Sequence, residues 1–318
     1  MEDNYYKYLN YFLKLNSIII INIFIFISIL LKNNQIKNTK VCLCTNGKKE
    51  NLYVREYVEH YKKYGVDKIF IYDNNEVDGE KFEDVILDYI NNEFVEIINY
   101  RGLLSPQENA YKDCHKRNFK IFNWLIFFDM DEYIYLKNYN NIKYFLNRNR
   151  FNKCQRIQLN WIFHTDNNLI YYDNRTLSKR FPERELRARG KKKGGIQGIK
   201  SILRGNIEID IKDVHILNKT LISCDGFGNI KEVQNIITNV SDFYYYYIDH
   251  FYSKSTEEFI KKLMRGSAVH GFDITHKLKR IDVYFSINEI TLNKINNIEN
   301  QTKLNLSKFR KKLKTFKN

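Results

Sequence analysis

The segment Trp124–Glu132, WLIFFDMDE, joins an apolar run to a cluster of acidic residues. The run Trp124–Phe128 predicts a buried strand, and the acids after it predict a turn at the carboxyl end of that strand. Asp129 and Asp131 are two positions apart, so in an extended chain both carboxylates point the same way. Carboxylate oxygens bind Mn²⁺ or Mg²⁺, which substrate phosphates often help to coordinate. The segment therefore predicts a metal site, with a solvated turn as the alternative interpretation.

On the N-terminal side of this segment, short apolar runs alternate with helical patterns. Strands are predicted at Val41–Cys44, Lys68–Tyr72 and Val95–Asn99. Helices are predicted at 50–64, at about 80–91, and after Ser105-Pro106-Gln107-Glu108, which matches a capping box. This order predicts an α/β fold with a mixed, mostly parallel sheet flanked by helices. Such sheets bind ligands at the carboxyl ends of their strands.

After residue 150 the apolar stretches become shorter and more typical of β-strands. They predict strands at Arg156–Trp161, Gly198–Leu203 and Val214–Leu217. The sequence Ser255-Thr256-Glu257-Glu258 matches a second capping box, which predicts a helix over Glu257–Met264.

Charge and composition restrict the class of protein. Lys and Arg number 52 against 37 Asp and Glu, and the net charge of +15 suits anionic partners such as phosphorylated molecules, nucleic acid or acidic lipid headgroups. The 43% hydrophobic content excludes global disorder. The first strand is not followed by G-x-G-x-x-G, which disfavours a dinucleotide oxidoreductase. The basic stretch Arg180–Lys193 suggests nucleic-acid binding, but recognisable nucleic-acid motifs are missing, so we expect no nucleic-acid partner.

The N-terminal region contains 17 residues without a formal charge, between Lys14 and Lys32. A helix of this length just spans a bilayer, so residues 15–31 are predicted to form a single-pass signal anchor. Residues 1–14 would be a tail and 32–39 a short stem. Lysines after the anchor favour a catalytic domain in the cytosol, whereas the N-x-S/T sequons would permit glycosylation in a lumen. The side of the membrane that the catalytic domain faces therefore stays open. A buried apolar helix or strand is the alternative.

The cysteines number five, an odd count in scattered positions. This pattern predicts buried free thiols rather than a disulfide framework.

Several blocks of the chain resemble glycosyltransferase family 92, in the same order. They are residues 42–75 (CLCTNGKKENLYVREYVEHYKKYGVDKIFIYDNN), 107–132 with its DXD motif, Trp161 with Phe163, Lys200-Ser201-Ile202 followed by Val214-His215, and 250–266 (HFYSKSTEEFIKKLMRG). The sequence departs from the family pattern at Tyr57, at Glu76 and at His164-Thr165-Asp166, and the last of these lies on the expected acceptor side. The resemblance implies a GT-A fold, similar to a Rossmann fold, over residues 40–270, and a helical, basic C-terminal extension over 271–318.

The resemblance implies a metal-dependent hexosyltransferase that uses Mn²⁺ or Mg²⁺. It would move a hexose, galactose as the first choice, from a UDP-sugar to a glycan on a protein, lipid or polysaccharide, with inversion. The expected nucleotide-sugar-binding residues are Thr45, Asn46, Glu50, Asp73, Asp129, Lys254 and Lys262, with Arg265 as a further cation. The expected metal ligands are Asp129, Asp131, His215 and His250, with Glu132 beside them.

On the acceptor side, Trp161 and Phe163 are expected to stack on a sugar, although a core position is equally compatible with them. Inversion needs a base that deprotonates the acceptor hydroxyl. Asp166 is the first candidate for this base, and Glu183 and Asp225 are alternatives. A different class of function stays open: a basic, membrane-tethered protein that binds nucleic acid or glycan without turnover.

Overall fold

The computed structural model describes residues 22, 25–28, 30, 34–185, 198–231, 244–266 and 273–288, and it separates two compact units, residues 1–39 and 40–318. In the first unit, the described residues before 39 are helical. Among the described residues, no helix is both long and apolar enough to cross a membrane. Most of the anchor predicted at 15–31 lies outside the described residues. The anchor therefore stays a prediction.

The first half of the second unit is a parallel sheet. Its strands are β1 (Val41–Gly47), β2 (Lys68–Asp73), β3 (Val95–Asn99) and β4 (Trp124–Phe127), in the spatial order β3-β2-β1-β4. All three pairings are parallel, so the carboxyl ends of the four strands lie along one edge of the sheet. Strand β1 is buried at every position because layers cover both faces of the sheet. The four strands confirm the sequence prediction.

Helices cover the two faces of this parallel half. Helices α1 (Asn51–Lys63) and α2 (Glu83–Asn91) share one apolar core with Val41 and Leu43, whereas α3 (Gln107–Asn118) packs with Cys42 and Cys44 on the opposite face. The capping box expected at Ser105 is wrong. Helix α3 begins with Pro106 as its N-cap residue and has no side-chain capping bond, and Ser105 has a φ of 49°.

The second half of the sheet is mixed. Its longer strands are β5 (Glu132–Leu136), β6 (Arg156–His164), β8 (Ile199–Arg204) and β11 (Tyr246–His250). Its two-residue strands are β7 (Arg184–Glu185), β9 (Ser223–Cys224) and β10 (Ile230–Lys231). Strand β8 lies antiparallel between β4 and β6, and β11 pairs parallel to β6 and antiparallel to β5. This arrangement brings β11 against β5, directly after the acidic turn.

The strand expected at Val214–Leu217 is also wrong. Asp213 and Leu217 form only an isolated bridge. The Asp213 carboxylate accepts hydrogen bonds from the amides of His215 and Ile216, both at 2.7 Å, and Leu217 has a φ of 57°. A side chain that binds amides two and three residues ahead turns the chain, so these residues form a loop.

The remaining helices are α4 (Ile142–Leu146), a 3₁₀ turn (Asn149–Phe151), α5 (Leu177–Arg180), α6 (Thr256–Met264) and α7 (Ile274–Ile287). The capping box of α6 is confirmed, with Ser255 and Glu258 capping each other. Helix α7 packs on α6 through the stacked rings of Phe259 and Tyr284, whose centroids are 4.1 Å apart. The described part of the predicted extension thus belongs to the second unit.

The expectation of free thiols is wrong for four of the five cysteines. Cys44 is bonded to Cys114 and Cys154 to Cys224, while Cys42 is free and buried. Cys42 and Cys44 share a face of β1, as alternation along a strand requires. Helix α3 covers that face, and the packing places Cys114 opposite Cys44.

His60 on α1 provides a test of this packing. Burial lowers the pKa of His60 to about 4, and its Nε2 lies 3.0 Å from the carbonyl oxygen of Ile134. A pKa below the ordinary value of 6.5 means that protonation favours the unfolded chain, so stability falls as the pH drops from 6.5 towards 4. We expect His60→Gln, which keeps a donor, to remove up to about 3 kcal/mol of this pH dependence. Urea titrations of both proteins between about pH 7 and about pH 4.5 measure it; equal losses would contradict the assignment.

Candidate functional site

A cavity of about 530 Å³ opens at the carboxyl ends of β1 and β4. Its acidic lining residues are Glu50, Asp129, Asp131 and Asp213. Its lysine and arginine lining residues are Lys48, Lys262, Arg265, Lys279 and Arg280, and its histidines are His215, His250 and His276. The wall also includes Asn46, Gln107, Met130, Trp161, Phe163 and Tyr252. A cavity of this size with cations and acids on its wall suits a polar, phosphate-bearing ligand.

Asp129 is held by side chains from outside the acidic turn. Its Oδ1 accepts hydrogen bonds from Gln107 Nε2 at 2.5 Å, the Tyr111 hydroxyl at 3.0 Å and Lys200 Nζ at 2.8 Å. Burial acts most strongly on the pKa of Asp129 and would raise it, but the charge and the hydrogen bond of Lys200, together with the nearby His215, hold this pKa below its usual value. Asp129 is therefore an anion whose first oxygen is fully engaged by the protein.

Glu132 lies at the start of β5, behind the turn. It has no solvent exposure, and its Oε2 accepts a hydrogen bond from the Asp129 amide at 2.9 Å. The other oxygen, Oε1, has no hydrogen-bond partner among the described residues. Burial raises the pKa of Glu132 well above its ordinary value, although Lys200 Nζ lies 3.8 Å from Oε2 and opposes this effect. An unpartnered buried carboxylate oxygen of this kind is costly unless a cation or a proton satisfies it.

Asp131 faces the opposite side of the cavity floor. Its Oδ2 is 2.5 Å from Lys262 Nζ, and its Oδ1 is 3.5 Å from His250 Nε2. Burial lowers the pKa of Lys262 to about 8, so this ammonium group is less firmly protonated than an ordinary lysine. Burial also lowers the pKa of His250, whose Nδ1 lacks a partner within the described chain.

Asp131, Glu132 and His250 together form a group that can hold a metal ion. One ligand atom from each lies within 4.8 Å of the others, and all three side chains are buried. Carboxylate oxygens and an imidazole nitrogen suit Mn²⁺ and are compatible with Mg²⁺. The group contains two of the four expected ligands. Asp129 and His215 lie outside it: Asp129 binds Lys200, and His215 Nδ1 lies 3.3 Å from the carbonyl oxygen of Ile199.

Glu50 joins α1 to α6 at the edge of the cavity. Its two oxygens contact Lys254 Nζ at 3.0 Å and Arg265 Nη2 at 2.6 Å. Burial alone would raise the pKa of Glu50, but the two cations outweigh it and lower this pKa. With both oxygens paired, Glu50 positions Arg265 on the wall, and Arg265 also donates to the carbonyl of Lys48.

The aromatic wall of the cavity packs on two histidines. The Trp161 ring lies 4.6 Å from the ring of His250 and 5.2 Å from that of His215, and Phe163 stacks on His250 at 5.0 Å. A Cβ at position 198 would lie 1.8 Å from the Trp161 ring, so only Gly198 allows this position of the indole. The Trp161 Nε1 is buried without a partner among the described residues. The wall thus presents aromatic side chains to the cavity.

Most of the expected site residues lie together. Those that line the cavity are Asn46, Glu50, Asp129, Asp131, Trp161, Phe163, His215, His250 and Lys262. Three expected donor-site residues do not line it. Thr45 is fully buried in β1, and Asp73 is buried beside Arg101 at 2.7 Å and accepts the Asn75 amide. Lys254 lines a neighbouring cavity of about 500 Å³ instead.

The expected base, Asp166, is also away from the cavity. It has no solvent exposure, its Oδ2 accepts the Tyr284 hydroxyl at 2.8 Å, and its Oδ1 accepts the Asn168 amide at 3.0 Å. These contacts give Asp166 the role of anchoring α7 to the loop after β6. The alternatives do not line the cavity either: Glu183 is exposed, and Asp225 accepts amides within its own turn.

Several cavity residues were assigned no role from the sequence. They are Gln107, Asp213, His276, Lys279 and Arg280, together with Lys200, which contacts Asp129 from behind the wall. Lys200 and Val214-His215 belong to one family block, so the block could have indicated Lys200 and the neighbouring Asp213. The residues of α7 follow the last block, and their local sequence contains no signal for a site. Arg180, part of the basic stretch that suggested nucleic-acid binding, is buried against Glu258, and residues 186–193 lie outside the described residues.

The fold and the cavity define a class of α/β protein. In this class a cavity at the ends of parallel strands is lined by acids, cations and aromatic side chains. The sequence profile described as "Glycosyltransferase family 92" matches residues 37–205, more than half of the chain. The chain therefore belongs to glycosyltransferase family 92. This result confirms the resemblance in the sequence blocks.

Relatives in plants share part of the chain. A family 92 protein of Arabidopsis thaliana is 30% identical over 105 residues, which cover 33% of this chain and 18% of the relative. A family 92 protein of Ricinus communis is 29% identical over 100 residues, which cover 31% of this chain and 18% of the relative. Among solved structures, S. aureus TarS 1-349 in complex with UDP has 13% identity and a TM-score of 0.37, covering 78% of this chain and 71% of that one.

Proposed function

We propose that this protein is a metal-dependent hexosyltransferase with a GT-A fold. It would transfer a hexose, with galactose as the first choice, from a UDP-sugar to a glycan acceptor, with inversion at the anomeric carbon. The observation that carries the proposal is the cavity floor, where Asp131, Glu132 and His250 converge beside Lys262 and Arg265. Membership of family 92 supports glycosyl transfer as the reaction class.

The three converging side chains suit a divalent cation. The unpartnered Glu132 Oε1 and His250 Nδ1 are buried polar atoms that a ligand would satisfy, and Asp131 contributes a second carboxylate. Mn²⁺ or Mg²⁺ held by these residues would supply positive charge against the charge that develops on a departing diphosphate. Lys200 would hold Asp129 in position beside this metal-binding group.

The cations on the cavity wall suit the phosphates of the donor. Lys262 and Arg265 come from α6 and its C-terminal end, and Arg280 comes from α7. Each can donate to phosphate oxygens, and arginine can do so with two parallel hydrogen bonds. On the other wall, Trp161 and Phe163 can stack on a sugar ring and exclude water from the reacting bond. Anchoring of the enzyme by residues 15–31 stays a prediction.

Donor binding by the full chain tests this proposal. We would titrate UDP-galactose, other UDP-hexoses and GDP-mannose by calorimetry with and without Mn²⁺, and follow release of the nucleotide. The expected result is manganese-dependent binding of one UDP-sugar. Asp131→Asn is expected to weaken it by about 10-fold to 100-fold, because an amide is a poorer ligand than a carboxylate.

Asp210→Asn is the matched control, because Asp210 is 65% exposed and pairs only with the exposed Lys212 among the described residues. It should bind the donor as the unaltered protein does. A folded protein that binds none of these donors, with or without metal, would contradict the proposal. Salt-dependent binding of RNA in the same assay would instead favour the non-catalytic alternative.

A further inference from the structure

We propose that Asp213 is the general base that deprotonates the acceptor hydroxyl. This inference rests on the proposed function, since it assigns a role within glycosyl transfer. Asp213 lies on the loop after β8, lines the cavity and is partly buried. It takes the role that the sequence had suggested for Asp166.

The charge pairing of the cavity acids singles out Asp213. Both oxygens of Glu50 bind cations. Asp129 is bonded to Lys200, and Asp131 is paired with Lys262 within the metal-binding group. Within the described ranges, Asp213 is the one acid of the cavity lining without a lysine or arginine within ion-pair distance. A general base must be able to accept a proton, whereas each of the other three acids is paired with a cation.

The loop orients the Asp213 carboxylate. Oδ1 accepts the amides of His215 and Ile216, both at 2.7 Å, and the backbone is fixed by a bond from the Leu217 amide to the Asp213 carbonyl at 3.0 Å. These bonds occupy one oxygen and hold the carboxylate plane, which leaves Oδ2 to accept a proton. The group is thus positioned by its own loop before any substrate binds.

The neighbours of Asp213 place it on the side expected for the acceptor. The loop continues into His215, whose ring packs on Trp161 at 5.2 Å, and Val214 and Trp161 line the same cavity. The fully buried Arg156 donates to Ser223 and to the carbonyl of Asn218, at the end of the same loop. An aromatic wall can hold a sugar ring, and a carboxylate next to that wall can accept a proton from one of its hydroxyl groups.

The acceptor hydroxyl gives its proton to Asp213 Oδ2 as its oxygen forms a bond to the anomeric carbon of the donor. The bond between that carbon and the diphosphate oxygen breaks, and its electron pair leaves with the nucleoside diphosphate. With water as the acceptor, the same step releases the free sugar, so hydrolysis of a UDP-hexose probes the base without knowledge of the natural acceptor.

Asp213→Asn is the decisive variant because its amide oxygen can still accept the His215 and Ile216 amides. We expect release of UDP from the preferred UDP-hexose to fall about 100-fold or more, as general-base catalysis contributes this much. The dissociation constant for UDP with Mn²⁺ should change less than about threefold, since the base does not bind the nucleotide. Asp210→Asn on the same loop serves as the control with unchanged turnover.

The outcomes separate this inference from the proposed function. If the unaltered protein neither binds UDP nor releases it from any donor, the proposed function fails and the base fails with it. If the unaltered protein hydrolyses a donor and Asp213→Asn does so at the same rate, glycosyl transfer stands and Asp213 is not the base. If Asp213→Asn loses UDP binding as well, Asp213 is a binding residue and the inference is overturned. Circular dichroism checks that each variant is folded.

Discussion

Replacement of Lys200 by methionine is expected to lower the free energy of unfolding by about 3–5 kcal/mol near neutral pH. The Lys200 side chain has no solvent exposure, and its ammonium group lies 2.8 Å from Asp129 and 3.8 Å from Glu132. Methionine fills a similar volume but leaves the fully buried Glu132 and the partly buried Asp129 without their cation. Breaking a buried pair costs more than the pair contributes, because the remaining charge is desolvated and unpaired.

The pH dependence separates this electrostatic cost from a packing defect. Without Lys200, the pKa of Asp129 should rise above its value in the unfolded chain, so protonation relieves the cost as the pH falls. The deficit of Lys200→Met should therefore shrink between about pH 8 and about pH 5, whereas a packing defect would persist. Urea unfolding followed by the fluorescence of the chain's two tryptophans measures both values. Lys212→Met, at a lysine that is 73% exposed, is the control and should cost little.

The parallel half of the sheet and the acidic turn were predictable because their signals are local. Apolar runs of strand length lead into polar turns at Asp73 and Asp129, and adjacent residues carry the pattern. The position of the metal-binding group was only partly predictable. Asp131 and Glu132 are neighbours in sequence, but whether Asp129 or Glu132 faces His250 depends on Lys200, which lies 71 residues from Asp129 and contacts it only in the folded chain.

The features that the local sequence could not place depend on distant contacts. Asp166 follows an aromatic block, yet Tyr284 and Asn288 bind it from 118 and 122 residues away and remove it from the site. Each disulfide joins cysteines that are 70 residues apart, and an odd number of cysteines does not indicate a pairing. The local sequence did not indicate the site residues of α7. A lysine or arginine on an amphipathic helix is surrounded by the same sequence pattern whether its side chain faces solvent or a cavity.

A buried ion pair between Arg180 and Glu258 lies outside the cavity. Glu258 of α6 accepts hydrogen bonds from the guanidinium of Arg180, including one at 3.1 Å, and from the Tyr53 hydroxyl of α1. It also accepts the Ser255 amide at 3.0 Å as part of the capping box. Arg180 is 1% exposed and lies against the rings of Tyr172 and Phe181. One carboxylate thus joins three helices and neutralises a buried cation.

Glu258→Gln keeps the size and one acceptor oxygen, but it removes the charge and places an amide NH₂ where Arg180 donates to a carboxylate oxygen. We expect a loss of about 3 kcal/mol in the free energy of unfolding, because the buried Arg180 guanidinium keeps only Asp173 as an anionic neighbour, 3.7 Å from its Nε and 34% exposed. Glu257→Gln is the matched control one residue away, where the glutamate is 35% exposed and pairs with the exposed Lys261, and it should cost about 1 kcal/mol or less. Urea unfolding of the two variants gives the comparison. Equal costs would mean that the Arg180–Glu258 pair does not hold α5 and α6 together. A large cost at Glu258 alone would show that the helix bearing Lys262 and Arg265 is fixed by a charge outside the cavity.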